Sequence, residues 1–144
     1  MCAYARQFRK TPLIREIATD NVAGLPQKIW MLEIKAQFDF VRDNIRYVGD
    51  IRNVETLQDP FRTLQIGQGD CDDFSVLLAS LLGAIDYDCR FVACGRVKDV
   101  FEHVYVQVEL PNRRRTINLD ATEPYPMGWQ PPGMVDWFPK DVDP

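Results

Sequence analysis

The chain has 144 residues, enough for one domain around a single core, and its 46% hydrophobic and 26% charged residues are those of a globular protein. A net charge of −4 gives no general attraction to nucleic acid or to an anionic membrane, and no stretch nears the ~20 apolar residues of a membrane span. No signal-peptide pattern opens the chain, so Cys2, Cys71, Cys89 and Cys94 are expected to be reduced thiols in a cytoplasmic setting.

Thr11-Pro12 reads as an N-cap followed by proline at the first helical position, with Leu13, Ile14 and Ile17 as the apolar face and Gly24 as the break. A second helix opens at Leu25-Pro26. Its Met31, Ile34, Phe38, Val41 and Ile45 keep three- and four-residue steps until Tyr47-Val48-Gly49-Asp50. Residues 49 to 70 read as a long connection. From 71 to 85, Phe74, Leu77, Leu78, Leu81, Leu82 and Ile85 recur at helical spacing and predict a largely buried helix capped by Asp70 or Asp72.

After Asp86 the period falls to two. Residues 90 to 94 read as a strand, and Val104, Val106, Val108 and Leu110 alternate with His103, Tyr105, Gln107 and Glu109. Pro111-Asn112 turns the chain, Arg113-Arg114-Arg115 makes a solvated tip, and 116 to 120 form a third strand. Helices followed by antiparallel strands predict a single α+β domain over 1–144. The proline- and tryptophan-rich tail, 124 to 144, is expected to be an irregular strap packed through Trp129, Trp137 and Phe138, with Trp129 a candidate wall of a cleft. The valines of 104 to 110 need cover, and His103 points the other way. The N-terminal helices or the tail are therefore expected on the valines, and the cysteine helix on the histidine side.

The stretch "GQGDCDDFS" places Cys71 at a helix start. A thiol is a good nucleophile only as thiolate, and a helix N-terminus and a neighbouring imidazolium both favour that form. His103 is the sole histidine and so the one imidazole available. Gly67 and Gly69 let a backbone come close and leave the Cys71 N–H for an oxyanion. A carboxylate on the far ring nitrogen would orient the imidazole, and Asp120 ends the neighbouring strand near the same end of the sheet. Gln68 and Gln65 are the nearby amides for a second oxyanion donor. Asp73 is a candidate contact to a strand or to a substrate amine. Cys89 and Cys94 lie five apart in a strand and so on opposite faces, which suits packing and not zinc. Cys2, near a terminus, is expected to be mobile.

Gly-Asp-Cys71 opening a buried helix, His103-Val-Tyr-Val on a strand and Leu119-Asp120-Ala-Thr on the next resemble the transglutaminase-like superfamily. "VRDNIRYVGD", "FSVLLASLLGAIDYDCRFVA" and "INLDATEP" agree, so the resemblance runs over about 30 to 123 and is to compact bacterial and phage-borne members. It implies a papain-like fold, with Cys71 as nucleophile, His103 as base and then acid, and Asp120 as orienter.

The expected chemistry is acyl transfer from a peptide or carboxamide through a thioester, with hydrolysis first: a protease, peptidase or amidase. The alternatives are glutamine cross-linking or deamidation, an inactive peptide-binding or assembly module, and a redox protein using Cys89 and Cys94. The expected partner is a peptide or protein substrate, a cell-wall peptide among the options. No cofactor or metal motif is present, and the oligomeric state is left open.

Overall fold

The structure, a computed structural model, describes residues 1–26, 29–49, 57–112 and 114–142, with only the backbone course over 135–142. The elements in chain order are α1 (Cys2–Phe8), α2 (Pro12–Val22), α3 (Trp30–Asn44), β1 (Arg46–Tyr47), α4 (Pro60–Ile66), β2 (Gln68–Gly69), α5 (Cys71–Ala84), β3 (Cys89–Gly95), β4 (His103–Glu109), β5 (Thr116–Leu119) and β6 (Val135–Val142). This is the expected α+β arrangement, with the cysteine-bearing helix packed on an antiparallel sheet.

Helix α5 is the axis of the molecule. Val76, Leu77, Leu78, Leu81 and Leu82 are buried around its circumference, as a helix apolar on all sides requires. Helices α1 to α4 and strands β3 and β4 all pack against it. Ile34, Phe38 and Val41 of α3 enter the same core. Met31 does not: it is 44% exposed, because α3 begins at Trp30 and turns that residue outward. Gln37 is buried instead, donating to the Ala18 carbonyl at 2.7 Å and accepting from Asn21 at 2.9 Å, which ties α3 to α2. Thr11 sits at the N-cap of α2, but its hydroxyl donates back to the Phe8 carbonyl at 2.6 Å and caps nothing.

Two expectations about the connection and the tail are corrected. Part of the stretch from 49 to 70 is helical: α4 starts at Pro60, capped by the Asp59 side chain on the Arg62 N–H, and ends at Gly67 with φ +67. The tail is not wholly irregular. Strand β6 runs antiparallel to β3 and completes a four-stranded sheet in the order β5-β4-β3-β6. Its proline hid it. Pro139 falls where the register shifts, with residues 138 and 139 set against one residue of β3, and an edge strand tolerates proline at a bulge. Trp129 stacks on Tyr125 at 4.4 Å; the packing expected of Trp137 and Phe138 lies outside the described residues.

The two faces of the sheet are also the reverse of the expectation. Val104, Val106 and Val108 share the core of Leu77 and Leu81, and the Ser75 hydroxyl donates to the Val104 carbonyl at 3.3 Å. The cysteine helix therefore lies on the valine face. Tyr105 packs in a small second cluster with Val92 and Cys94 on the other face. The longest apolar helix and the most apolar strand face bury each other, which removes the most apolar surface from water.

Candidate active site

Cys71 is the first residue of α5, where the backbone N–H has no acceptor within the helix. A reciprocal capping box fixes this end. The Asp70 carboxylate accepts from the Asp73 N–H at 3.1 Å, and the Asp73 carboxylate accepts from the Asp70 N–H at 3.1 Å. Asp73 is only 2% exposed and also accepts from the backbone and side-chain N–H groups of Gln58, at 2.8 and 2.9 Å. The Asp70 and Asp73 carboxylates beside Cys71 are thus engaged with N–H groups.

The flanking glycines have structural reasons. Gly67 takes the left-handed conformation that ends α4. A Cβ at Gly69 would lie 2.6 Å from the Cβ of Asp73, so the bare backbone makes room for the capping box. In addition, β1 and β2 pair in parallel, Tyr47 against Gly69, which sets Tyr47 beside the start of α5.

His103 is the first residue of β4, at the sheet end nearest Cys71. It can therefore reach the thiol although Tyr105, two residues on, packs on the far face. Its Nε2 is 2.6 Å from Oδ2 of Asp120, and its other ring nitrogen is left for the hydrogen bond with Cys71. Asp120 follows β5 and is 5% exposed. Its Oδ1 accepts from the Thr122 hydroxyl at 2.6 Å and the Thr122 N–H at 3.2 Å. Burial is the largest influence on the imidazole and works against its charge. The bonds to Asp120 and Cys71, with the negative charge they place nearby, outweigh it and push the His103 pKa up to about 10. The ring is thus held as an imidazolium beside the Cys71 sulfur at neutral pH.

A cavity of about 950 Å³ opens over Cys71 and His103. Tyr47, Phe91, Ala93, Phe101 and Val104 give it apolar walls; Asp70, Asp72 and Glu102 give it carboxylates. Met1, Cys2 and Ala3 line it too, so Cys2 is not a mobile end but the first residue of a helix on the cavity wall. Glu102 is paired with Arg96 at 2.8 Å, and that bond holds its carboxyl below the usual range.

The structure therefore brings Cys71, His103 and Asp120 together. It does not bring the other candidates to the cavity. Gln68 is exposed on β2, and Gln65 is exposed on α4, accepting from Arg62 at 3.2 Å. Asp73 is buried in the capping box, so a substrate amine has no access to it. Trp129 packs on Tyr125 and is no wall of the cleft. Cys89 and Cys94 are buried thiols, not joined in a disulfide, in the two opposite clusters. Among the described residues no group of three or more His, Cys, Asp or Glu side chains is placed to hold a metal ion. Tyr47, Phe101 and Thr122 escaped the sequence reading. Only Thr122 carried a local signal, an Asp-x-Thr spacing that favours side-chain bonds to a turn.

The family model of the transglutaminase-like superfamily core matches residues 15–121. The chain belongs to the transglutaminase-like superfamily. The match starts at α2, earlier than the expected boundary near residue 30. No curated protein sequence matches the chain.

Solved structures share this superfamily fold. A candidate cysteine protease from Cytophaga hutchinsonii aligns with a TM-score of 0.64 at 18% identity, over 86% of this chain and 40% of its own. A candidate protease from Parabacteroides distasonis gives 0.64 at 12% identity, over 82% and 25%. LapG of Legionella pneumophila gives 0.60 at 15% identity, over 85% and 71%. The chain thus spans less than half the length of the first two. No helix among the described residues is long and apolar enough to cross a membrane.

Proposed function

We propose that this superfamily member is a cysteine hydrolase acting on peptide or carboxamide bonds, with Cys71 as nucleophile, His103 as acid and base, and Asp120 as orienter. One observation carries the reading: a single imidazole bonded on one side to a thiol at a helix start and on the other to a buried carboxylate. Likeness of fold to candidate cysteine proteases supports the same substrate class.

The thiol proton resides on His103, and the thiolate attacks the substrate carbonyl. Negative charge develops on the carbonyl oxygen, and the Cys71 N–H stabilises it. His103 then protonates the leaving amine, and a thioester to Cys71 remains. Water, deprotonated by His103, attacks the thioester and releases the acid and the thiolate, which restores the thiolate–imidazolium pair. Asp120 keeps one ring nitrogen occupied, so that the other faces the sulfur through both half-reactions.

The test is a screen of glutamine peptides, amine donors and cell-wall peptides beside Cys71→Ala, read by product mass. Products whose masses sum to the substrate plus one water, absent with Cys71→Ala, are expected. Incorporation of the amine would replace hydrolysis by cross-linking. No turnover together with an unreactive Cys71 would leave the cavity as a binding site only.

A further inference from the structure

The turn after β5, which carries Asp120, directs three backbone carbonyls at one side chain of α3. Nη2 of Arg42 donates to the carbonyls of Glu123 at 2.7 Å, Tyr125, and Asp120 at 3.5 Å. Its guanidinium carbon lies 4.2 Å over the ring of Phe38, itself buried in the core. Its Nε is buried without a hydrogen-bond partner. A buried N–H left unpaired is costly, so the plane of this group is set by the stack and by the carbonyls and not by its own full satisfaction.

We propose that Arg42 is a positioning residue for Asp120. Thr122 binds Asp120 inside the same turn and Ala121 enters the core, but neither holds the carbonyls of 120 to 125 against α3. Arg42 does so, gathering carbonyls spread over residues 120 to 125 onto one atom anchored by the core. Without it three carbonyl dipoles would converge with no donor between them, and the turn would swing out to water, taking the carboxylate from His103. Lysine is no equivalent: its ammonium stops one bond, ~1.3 Å, short of Nη2 and cannot stack as a plane.

The inference rests on the proposed function only in giving the Asp120–His103 bond a use; the bond can be measured without a substrate. His103 is the sole histidine, so its ring signals are unambiguous in a nuclear magnetic resonance titration. Arg42→Met keeps an apolar stem over Phe38 and removes every donor. The expected result is a His103 midpoint that falls from about 10 towards the ~6.5 of a free imidazole, with Arg42→Lys in between. Cys71, Asp70, Asp72 and Glu102, which share the cavity with the ring, are the same in all three proteins. A folded Arg42→Met with the wild-type midpoint would overturn the proposal. Should that variant not fold, Arg42→Lys decides: a lowered midpoint supports the proposal and an unchanged one overturns it. If the wild type hydrolyses nothing and the midpoint still falls, the proposed function fails and Arg42 keeps its role. If the wild type is active and the midpoint stays, only the role of Arg42 fails.

Discussion

His103 and Asp120 are diagonal partners across β4 and β5, not direct ones. Continuing the register that sets Val106 against Leu119 puts Asp120 opposite Tyr105, two residues from His103. Even so, Nε2 and Oδ2 are 2.6 Å apart, because the carboxylate leans along the sheet while Thr122 holds its other oxygen. Diagonal pairs lie ~7–8 Å apart at the backbone, a gap these two side chains can bridge.

That lean depends on Thr122. Thr122→Val keeps the shape and removes the hydroxyl donor to a buried carboxylate. A loss of about 1.5–3 kcal/mol in unfolding free energy is expected, measured by urea titration. A variant as stable as the wild type would mean that the backbone N–H of residue 122 suffices.

Removal of the groups proposed to react should be far more costly to rate than to stability. His103→Ala is expected to lower turnover ~10²- to 10⁴-fold, and Cys71→Ala to abolish thioester formation, trapped as a covalent adduct and read by mass spectrometry. An adduct that persists in Cys71→Ala would place the nucleophile elsewhere.

The pH dependence of stability has a definite sign. His103 has its pKa raised in the folded protein, so the pair with Asp120 contributes its full stabilisation below the unfolded value of ~6.5. That contribution declines as pH rises and is lost above about 10. Urea midpoints at pH 6, 8 and 10 should fall in that order for the wild type, and Asp120→Asn should flatten the trend. A wild-type midpoint that rises over this range would contradict the imidazolium pairing.

The capping box can be probed from both ends. Asp73→Ala removes the acceptor of the Asp70 N–H and of two Gln58 N–H groups, with an expected cost of about 1–3 kcal/mol. Gly69→Ala drives a Cβ against Asp73 and should destabilise through the same contact. Alkylation of Cys71 should slow in both variants, because the helix start that presents it is loosened; an unchanged rate would separate the thiol from the cap.

Gly95 lies where β3 gives way to the loop leading to His103. An added Cβ would be 1.8 Å from the Val100 carbonyl oxygen, a backbone atom that cannot step aside. Gly95→Ala is expected to cost about 3 kcal/mol or more, seen as a large drop in thermal midpoint. A near-native midpoint would show that the loop from 96 to 102 can be redrawn cheaply.

The sequence carried those features that are local. Helix α5 was legible because its apolar residues recur without interruption, and Cys71, His103 and Asp120 because each stands in a short motif at an element end. The orientation of the sheet was not, since period two says which residues share a face but not which face meets α5. Strand β6 hid behind Pro139, whose bulge no periodicity reveals. Arg42 and Tyr47 were invisible for another reason: their use depends on carbonyls and a strand pairing brought in from distant segments.

The cavity draws on two kinds of element. Cys71 and His103 issue from the core helix and a central strand, whereas Tyr47 comes from a two-residue strand, Phe101 from a loop and Cys2 from the N-terminal helix. Under the proposed function, preference for one ligand over another can therefore drift during evolution by changes in these shorter elements, while Cys71 and His103 stay bolted to the buried helix and the sheet.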